Sequence, residues 1–484
     1  MQDLKQKTLS GFVFKLGERG AAQAVSFIVQ IVLARILMPE EFGTIALLNV
    51  FMLVLNVFVT YGFGNSLVVN KDSDDLDFST CLYFGVVLAI LIYIAVFFLS
   101  PIISRFLYDR DDLSILIKVI ALSLPVSAIN SVQYAYIAKN MQFRLSFYAT
   151  FIGTVLSGIV GMSMAYLEFG VWALVAQYLS NSVFGTVSLW LFSKWRPIWA
   201  FSFKRLKAIY DYGWKILAVG LVDTLFGQIQ SLVIAKKYTR SDLAYYNRGG
   251  SFPGFGMAFV EPTISEVLFP ALSNCNDDRE MMKSVTRRVI KSSTFIVCGV
   301  MCLLAAMAKP LVVVLLTEKW LECVVFLQIG CVANLFRPLQ VINSCVIRAS
   351  GKSGLLLKLD LLKKGIGLAL LFASMRFGVV AIAWSLVLTN FISLIINIYP
   401  NKKLLQYGYL EQIKDIVEII IMGAIMTGLM LLLTFLPISN LAILLIQFIS
   451  GIGVYCLIAR ICKEESYFYL KNIIIEMVNK LKKR

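Results

Sequence analysis

The sequence predicts an all-α integral membrane protein of fourteen transmembrane helices: two duplicated six-helix lobes in parallel orientation, followed by two C-terminal helices. Three observations lead there. The first is composition: of 484 residues, 59% are apolar and 15% charged, against roughly 45–50% and 25% in soluble domains. The second is run length. Stretches such as Leu82 to Leu99 and Leu441 to Ile458 are continuously apolar and long enough for a span of about 20 residues, without the alternation of a transmembrane barrel. The third is internal repetition, described below.

Read against Gly, Pro and charged punctuation, the spans fall at 12–36, 43–64, 79–99, 113–136, 146–166 and 171–193 in a first lobe, 1–200. Lys15, Glu18 and Arg19 interrupt the first run. A signal-peptide core would not tolerate them, so this helix is expected to stay in the mature chain. The second lobe, 201–400, opens with an interfacial helix at 201–212. There Phe203, Leu206 and Ile209 share a face, with Lys204, Arg205 and Lys207 on others. Its spans lie at 213–235, 250–271, 289–308, 322–347, 354–374 and 378–398, and two extra spans, 415–436 and 440–460, make up 401–461. A basic amphipathic tail, 462–484, has an Ile473-Ile474-Ile475 core and a Lys480-Leu-Lys-Lys-Arg484 end that anionic headgroups attract. Lys and Arg concentrate in the even-numbered connections, at Lys194 to Lys207, Arg279 to Lys291 and Lys402–Lys403. The positive-inside rule therefore puts both termini in the cytoplasm.

Composition also removes function classes. The chain has no histidine, the commonest general base and metal ligand. Its nine cysteines form no C-x-x-C pair and read as small hydrophobes. No metal site, cofactor or P-loop is expected. The net charge of +16 is spread over short loops, too short for a nucleic-acid-binding module.

The repetition lies in Pro125-x-x-x-Ile129-Asn130-Ser131 and Pro338-x-x-x-Ile342-Asn343-Ser344, and in Phe169-Gly-Val-Trp-Ala173 and Phe377-Gly-Val-Val-Ala381. In register with these, Asn181 matches Asn390, and Lys15 and Gly20 match Lys215 and Gly220. The loop Ala34 to Gly43 has a weaker echo in Ala235 to Ala244. Six helices per repeat give both halves the same orientation, and sites in such folds lie between repeats. This pattern points to a transporter more than to an enzyme.

Charges at membrane depth cost several kcal/mol unless they face a cavity or a partner. Lys15, Arg19, Gln23, Ser26 and Gln30 form one helical stripe. Polar faces recur at Asp223, Gly227 and Gln230, at Asn334, Arg337 and Ser344, and at Asp360, Lys363, Lys364 and Gly367, with Arg248 close by in sequence. As a set they are expected to line a polar, net basic cavity: Lys15, Arg19, Arg248, Arg337, Lys363 and Lys364 as anion-binding cations, and Gln23, Ser26, Gln30, Gln230 and Asn334 as polar lining. Arginine there suits phosphate. Asp223 and Asp360 are the ion-coupling candidates, Asp223 ahead because its own helix offers no cation at i±3 or i±4. The competing reading is interhelical ion pairs and snorkelling lysines. Glu261 and Glu266, at i and i+5, point apart and make no paired-carboxylate site. Pro253, Pro262 and Pro270 are expected to break their span repeatedly, as a bending element.

Leu33-Ala-Arg-Ile-Leu-Met-Pro-Glu-Glu-Phe-Gly-Thr-Ile-Ala-Leu47, Tyr245-Tyr-Asn-Arg-Gly249 and Leu268-Phe-Pro-Ala-Leu-Ser273 together resemble the polysaccharide-export branch of the multidrug/oligosaccharidyl-lipid/polysaccharide superfamily, and within it Wzx-type flippases of the colanic-acid exporter kind. The resemblance covers nearly the whole chain. It implies a two-lobed bundle that moves undecaprenyl-diphosphate-linked oligosaccharide repeat units across the bacterial inner membrane by alternating access, coupled to H+ or Na+. It makes membrane lipids, a polysaccharide polymerase and the chain-length machinery the expected partners. Only Arg35, Pro39, Gly43, Tyr246 and Arg248 carry over by motif match. Three rivals remain: a multidrug or cation exporter of the same fold, which would want an acidic or apolar cavity; a membrane polymerase or acyltransferase, which would need a large outside loop or a polar catalytic constellation; and a scaffold or lipid scramblase without coupling. The longest outside connections have only about a dozen residues, short against a typical domain.

Overall fold

The computed structural model describes residues 20, 22–69, 73–108, 113–275 and 278–482, nearly all helical and, among those described, without a strand. The first helix is α1 (Ala22–Ile36). It is followed by α2 (Pro39–Val69), α3 (Asp75–Tyr108), α4 (Leu113–Ile120), α5 (Ser123–Lys139), α6 (Phe143–Tyr166), α7 (Val171–Phe192), α8 (Phe203–Lys237) and α9 (Arg240–Asn274). Then come α10 (Arg279–Ala306), α11 (Ala308–Leu316), α12 (Cys323–Leu335), α13 (Arg337–Ala349), α14 (Ser353–Ser374), α15 (Val379–Leu405), α16 (Tyr409–Leu432), α17 (Asn440–Ile461) and α18 (Glu465–Lys482).

Eleven segments among the described residues are long and apolar enough to cross a membrane. The three other expected spans fall on α1, short within the described residues, and on α7 and α14. Gln177, Ser180, Asn181 and Ser182 dilute the apolar run of α7, and Lys358, Asp360, Lys363 and Lys364 that of α14.

Three expectations need correcting. The runs 113–136 and 322–347 are not single helices: the first breaks between α4 and α5, a third of the way along, and the second near its middle, between α12 and α13. The cause is the same in both, because Pro125 and Pro338 remove a backbone donor and crowd the carbonyl four residues earlier, at Ala121 and Asn334. Secondly, α9 runs through Pro253, Pro262 and Pro270 as one helix of 35 residues. Thirdly, 201–212 is no separate element, since α8 continues from Phe203 to Lys237 through Gly213 without a break.

By contact the chain forms two compact units, one up to Ala244 and one from Tyr245 onward. In the first, α2 lies along α8 and α5, and α3 packs on α5 and α8. Helices α6 and α7 approach closely through small residues: a side chain at Gly153 would meet the Gly185 backbone, and one at Gly161 the Gln177 stem. Leu67, Phe78, Leu82, Val132, Trp195 and Leu206 form a buried cluster. The non-helical strap 193–202 is tied to the start of α3, with the Ile198 N–H donating to Ser79 Oγ (3.0 Å) and Tyr83 Oη to the Ile198 carbonyl (3.0 Å). The expected lobe boundary at 200/201 falls in this strap, whereas contacts group α8 with the helices before it.

The second unit repeats the build. The broken pair α12/α13 packs on α10 and α15, and α14 on α15, as α4/α5 meets α3 and α7 in the first unit. Its core includes a cluster around Leu268, Leu339, Ile342 and Leu394 and another joining α10, α16 and α17 through Phe295, Met422, Met426 and Tyr455. Large apolar side chains stay exposed along the long helices, among them Val87, Leu91, Phe98 and Ile102 on α3. Such a surface suits lipid rather than water.

Candidate functional site

The matched loops of the duplication are the same device built twice. Helix α1 ends at Ile36 and α2 starts at Pro39, the position where a missing N–H costs nothing. The Met38 N–H donates to Glu41 Oε2 (2.7 Å). Helix α8 ends at Lys237 and α9 starts at Arg240, and there the Thr239 N–H donates to Asp242 Oδ2 (3.1 Å) while the Asp242 N–H donates to Thr239 Oγ1 (3.1 Å). In both, a carboxylate in the first turn satisfies backbone donors that the helix leaves open. The two turns pack on each other: a side chain at Gly43 would run into the Arg240 backbone carbonyl, and Arg240 Nη1 donates to Thr44 Oγ1 (3.1 Å).

Tyr245-Tyr-Asn-Arg-Gly249, at the start of the second unit, clasps the turn before α12. Tyr245 stacks edge-on to buried Trp320 (6.0 Å) and Tyr246 to Phe326 (5.9 Å). The Arg248 guanidinium lies over Trp320 (5.4 Å), and a side chain at Gly249 would meet Phe326 and the Cys323 carbonyl. Arg248, expected as a cavity cation, is thus part of a packing clasp through its cation–π contact.

Of the expected polar residues in the first unit, Gln23 is exposed and Ser26 and Gln30 are half-buried on α1, while on α8 Asp223 is exposed and Gln230 half-buried. Lys15 and Arg19 lie outside the described residues. In the second unit, Arg337 forms a two-pronged ion pair with Glu261 of α9, Nε to Oε1 at 2.5 Å and Nη2 to Oε2 at 2.9 Å. Arg337, expected as a cavity cation, is thus held by a carboxylate, and Glu261, set aside because it does not pair with Glu266, is the partner that helical periodicity missed. Its partner lies 76 residues away, and no spacing rule reaches that far.

A second polar chain starts on α14. Asp360 pairs with Lys363 at 2.6 Å rather than with Lys364, and Lys363 Nζ also donates to Asn397 Oδ1 (3.1 Å). Asn397 Nδ2 donates in turn to Ser344 Oγ (3.2 Å). Asn334 donates back to the Gly330 carbonyl of its own helix (2.8 Å). The repeated asparagines hold this bundle: Asn343 Nδ2 donates to Gln412 Oε1 (3.0 Å), Asn401 Nδ2 to Asn343 Oδ1 (2.6 Å) and Asn390 Nδ2 to the Ala333 carbonyl (3.0 Å). The corresponding Asn130 Nδ2 in the first unit donates to Thr186 Oγ1 (2.9 Å). Next to this network, Tyr407 Oη donates to Asp415 Oδ2 (2.7 Å) and Arg287 reaches Asp415 Oδ1 (2.6 Å). Burial, and then the hydrogen bond to Asp415, push the Tyr407 hydroxyl well above its ordinary value, so it remains a donor at any physiological pH.

A set of long apolar helices, two broken in matched places before Pro125 and Pro338, with ion pairs between apolar helices, defines a polytopic helical membrane protein. The solved structures agree on the fold. The inward closed lipid II flippase MurJ aligns with a TM-score of 0.75 over 95% of this chain and 100% of its own, at 15% identity. An inward-facing multidrug resistance MATE transporter of the MOP superfamily aligns at 0.64 over 79% and 94%, at 14% identity. A family model described as polysaccharide biosynthesis protein matches residues 32–325, and the chain belongs to that family. The succinoglycan biosynthesis transport protein ExoT of Rhizobium meliloti (strain 1021) is 24% identical over 61% of this chain, a match that spans 60% of ExoT itself. The lipopolysaccharide biosynthesis protein WzxC of Escherichia coli (strain K12) is 23% identical over 82% of this chain and 81% of its own length.

Proposed function

We propose that this chain is a flippase that carries undecaprenyl-diphosphate-linked oligosaccharide repeat units from the cytoplasmic to the outer leaflet of a bacterial inner membrane by alternating access. The observation that carries the reading is the polysaccharide-biosynthesis family match on a chain whose fold follows MurJ over nearly its whole length. In this reading α1, α7 and α14 complete fourteen crossings, 1–200 and 201–400 are the two lobes, 401–461 the extra pair, and both termini are cytoplasmic. A reporter fused after Lys204 is expected to give a cytoplasmic signal, because Lys194, Arg196, Lys204, Arg205 and Lys207 crowd that connection. A periplasmic signal there would invert the topology.

The diphosphate would meet the membrane-depth cations Lys15, Arg19, Arg337, Lys363 and Lys364. Arg337 and Lys363 are held by Glu261 and Asp360, so an arriving phosphate competes with these carboxylates and frees them to bind a proton. Substrate and ion are then linked through the states they favour. Asp223 on α8 is the other coupling candidate. Purified protein in vesicles with an imposed pH or sodium gradient separates these roles: Asp223→Asn is expected to retain downhill flipping of a lipid-linked oligosaccharide and lose its acceleration by the gradient. A full gradient response in that variant would exclude Asp223. Lipid-linked intermediates accumulating on the cytoplasmic leaflet of a deletion strain are the expected cellular result, and unchanged surface polysaccharide would overturn the reading.

A further inference from the structure

Four cations of α10 recur as Lys283, Arg287, Arg288 and Lys291, and in the sequence they serve only to orient the membrane topology. The structure gathers them along one wall of a cavity of about 690 Å³ between the first turns of α10 and the start of α18, where Ser466 and Tyr469 line the other side. The wall is about 12 Å long at 1.5 Å rise per residue. Three of the four are fixed by carboxylates: Lys283 by Glu411 (3.1 Å), Arg287 by Asp415 (2.6 Å) and Lys291 by Glu465 (2.9 Å). Glu280 also lines the cavity. Arg288 has no carboxylate partner among the described residues; its guanidinium lies over the Tyr469 ring at 5.6 Å. Those ion pairs use few of the N–H donors that two guanidinium and two ammonium groups carry, so the cations are held in place with donors to spare.

The surroundings are those of a membrane interface. The same helix α10 continues as an apolar span to Ala306, with Ile296 and Val300 exposed on it. On α18, Phe468, Tyr469 and Ile475 are 40–46% exposed, Tyr469 on the cavity wall, while Tyr467 and Leu470 pack on the helix bundle. A basic cavity at the polar end of a helix long and apolar enough to cross a membrane, with Tyr469 on its wall, is where headgroups would stand whichever way the chain is inserted. A site for a free soluble phosphate would have no use for the exposed apolar side chains that continue along the same two helices.

We propose that this cavity binds the phosphate of an anionic membrane lipid, with Arg288 over Tyr469 as its main contact, and that the bound lipid fastens α18 to α10. The inference stands apart from the substrate path, since it concerns which bulk lipid the protein holds. The test is native mass spectrometry of the full-length protein released from mixed micelles of phosphatidylglycerol and phosphatidylcholine. Wild type is expected to retain phosphatidylglycerol preferentially. Arg288→Gln should weaken that retention about tenfold, the effect of losing one charge-assisted hydrogen bond. Ser284→Glu, at an exposed lining position, places a carboxylate in the cavity without disturbing the core and should also expel the lipid. Lys471→Gln on α18, outside the lining, should leave retention unchanged. Equal retention of both lipids by wild type, or an equal loss in Arg288→Gln and Lys471→Gln, would overturn the site in favour of general surface attraction. Displacement of phosphatidylglycerol by millimolar inorganic phosphate would overturn the lipid as the source of the phosphate.

Discussion

Gly43→Ala is expected to lower thermal stability and membrane level sharply. The added methyl has nowhere to go, because it would overlap the Arg240 carbonyl, a backbone group that no rotamer change can move. The start of α2 would have to withdraw from the start of α9. That withdrawal breaks the Arg240–Thr44 hydrogen bond and opens packing around buried Leu47 and Leu243. Overpacking of this kind costs about 1–3 kcal/mol, and loss of the hydrogen bond adds about 1 kcal/mol. Gly227→Ala is the control. Gly227 is also helical and has open space where its side chain would stand, so alanine there should be neutral or stabilising by up to about 1 kcal/mol. Thermal unfolding of the purified variants decides between them. Equal melting behaviour would show that the α2 and α9 turns do not need their close approach.

Arg337→Ala and Glu261→Ala are each expected to reduce both stability and export, for separable reasons. Either substitution leaves one charge at membrane depth without its two-pronged partner. The side chains are 41% and 25% exposed, so the cost falls between that of surface and fully buried pairs, about 2 kcal/mol. Removing both charges at once, as Glu261→Gln with Arg337→Gln, should recover most of the stability because no orphaned charge remains. Export should stay at least about tenfold down if Arg337 meets the substrate phosphate, a contact worth about 1.5–3 kcal/mol. Recovery of export together with stability in the double variant would reduce the pair to interhelical glue and remove Arg337 from the substrate path. Protein level and export are measured on the same cells, so folding and function are read apart.

Both results depend on contacts that local sequence patterns announce unevenly. The loop Ala34 to Gly43 was legible as half of a matched pair, but it was read up to Gly43, although the proline and the carboxylate two residues on are capping signals that start α2 at Pro39. Its echo at Ala235 to Ala244 was legible as the other half. What Gly43 is small for was not legible, since the Arg240 carbonyl reaches it from nearly 200 residues away. Asp360 was seen beside Lys363 and Lys364, yet which lysine it takes depends on Asn397, which holds Lys363 from α15. Glu261 was set aside because it has no carboxylate neighbour on its own helix, and its partner sits on another. The paired breaks before Pro125 and Pro338 could have been read from the prolines alone, but neither half of either run is long enough to cross a membrane by itself, so each run was read as one helix.

The sequence by itself determined that the chain is a bundle of membrane helices, duplicated, with polar groups placed at membrane depth. These properties follow from composition, run length and period, and each is a sum over many residues, so no single misreading upsets it. Only the tertiary structure decided which charges meet. It turned Arg337 toward Glu261, laid Arg248 on Trp320 and gathered Lys283, Arg287, Arg288 and Lys291 around a cavity closed by α18. The physical reason is that helix periodicity sets the face on which a side chain lies, whereas helix rotation, depth and crossing fix what that face meets. Those quantities come from packing summed over whole helices, and no local pattern of residues contains them.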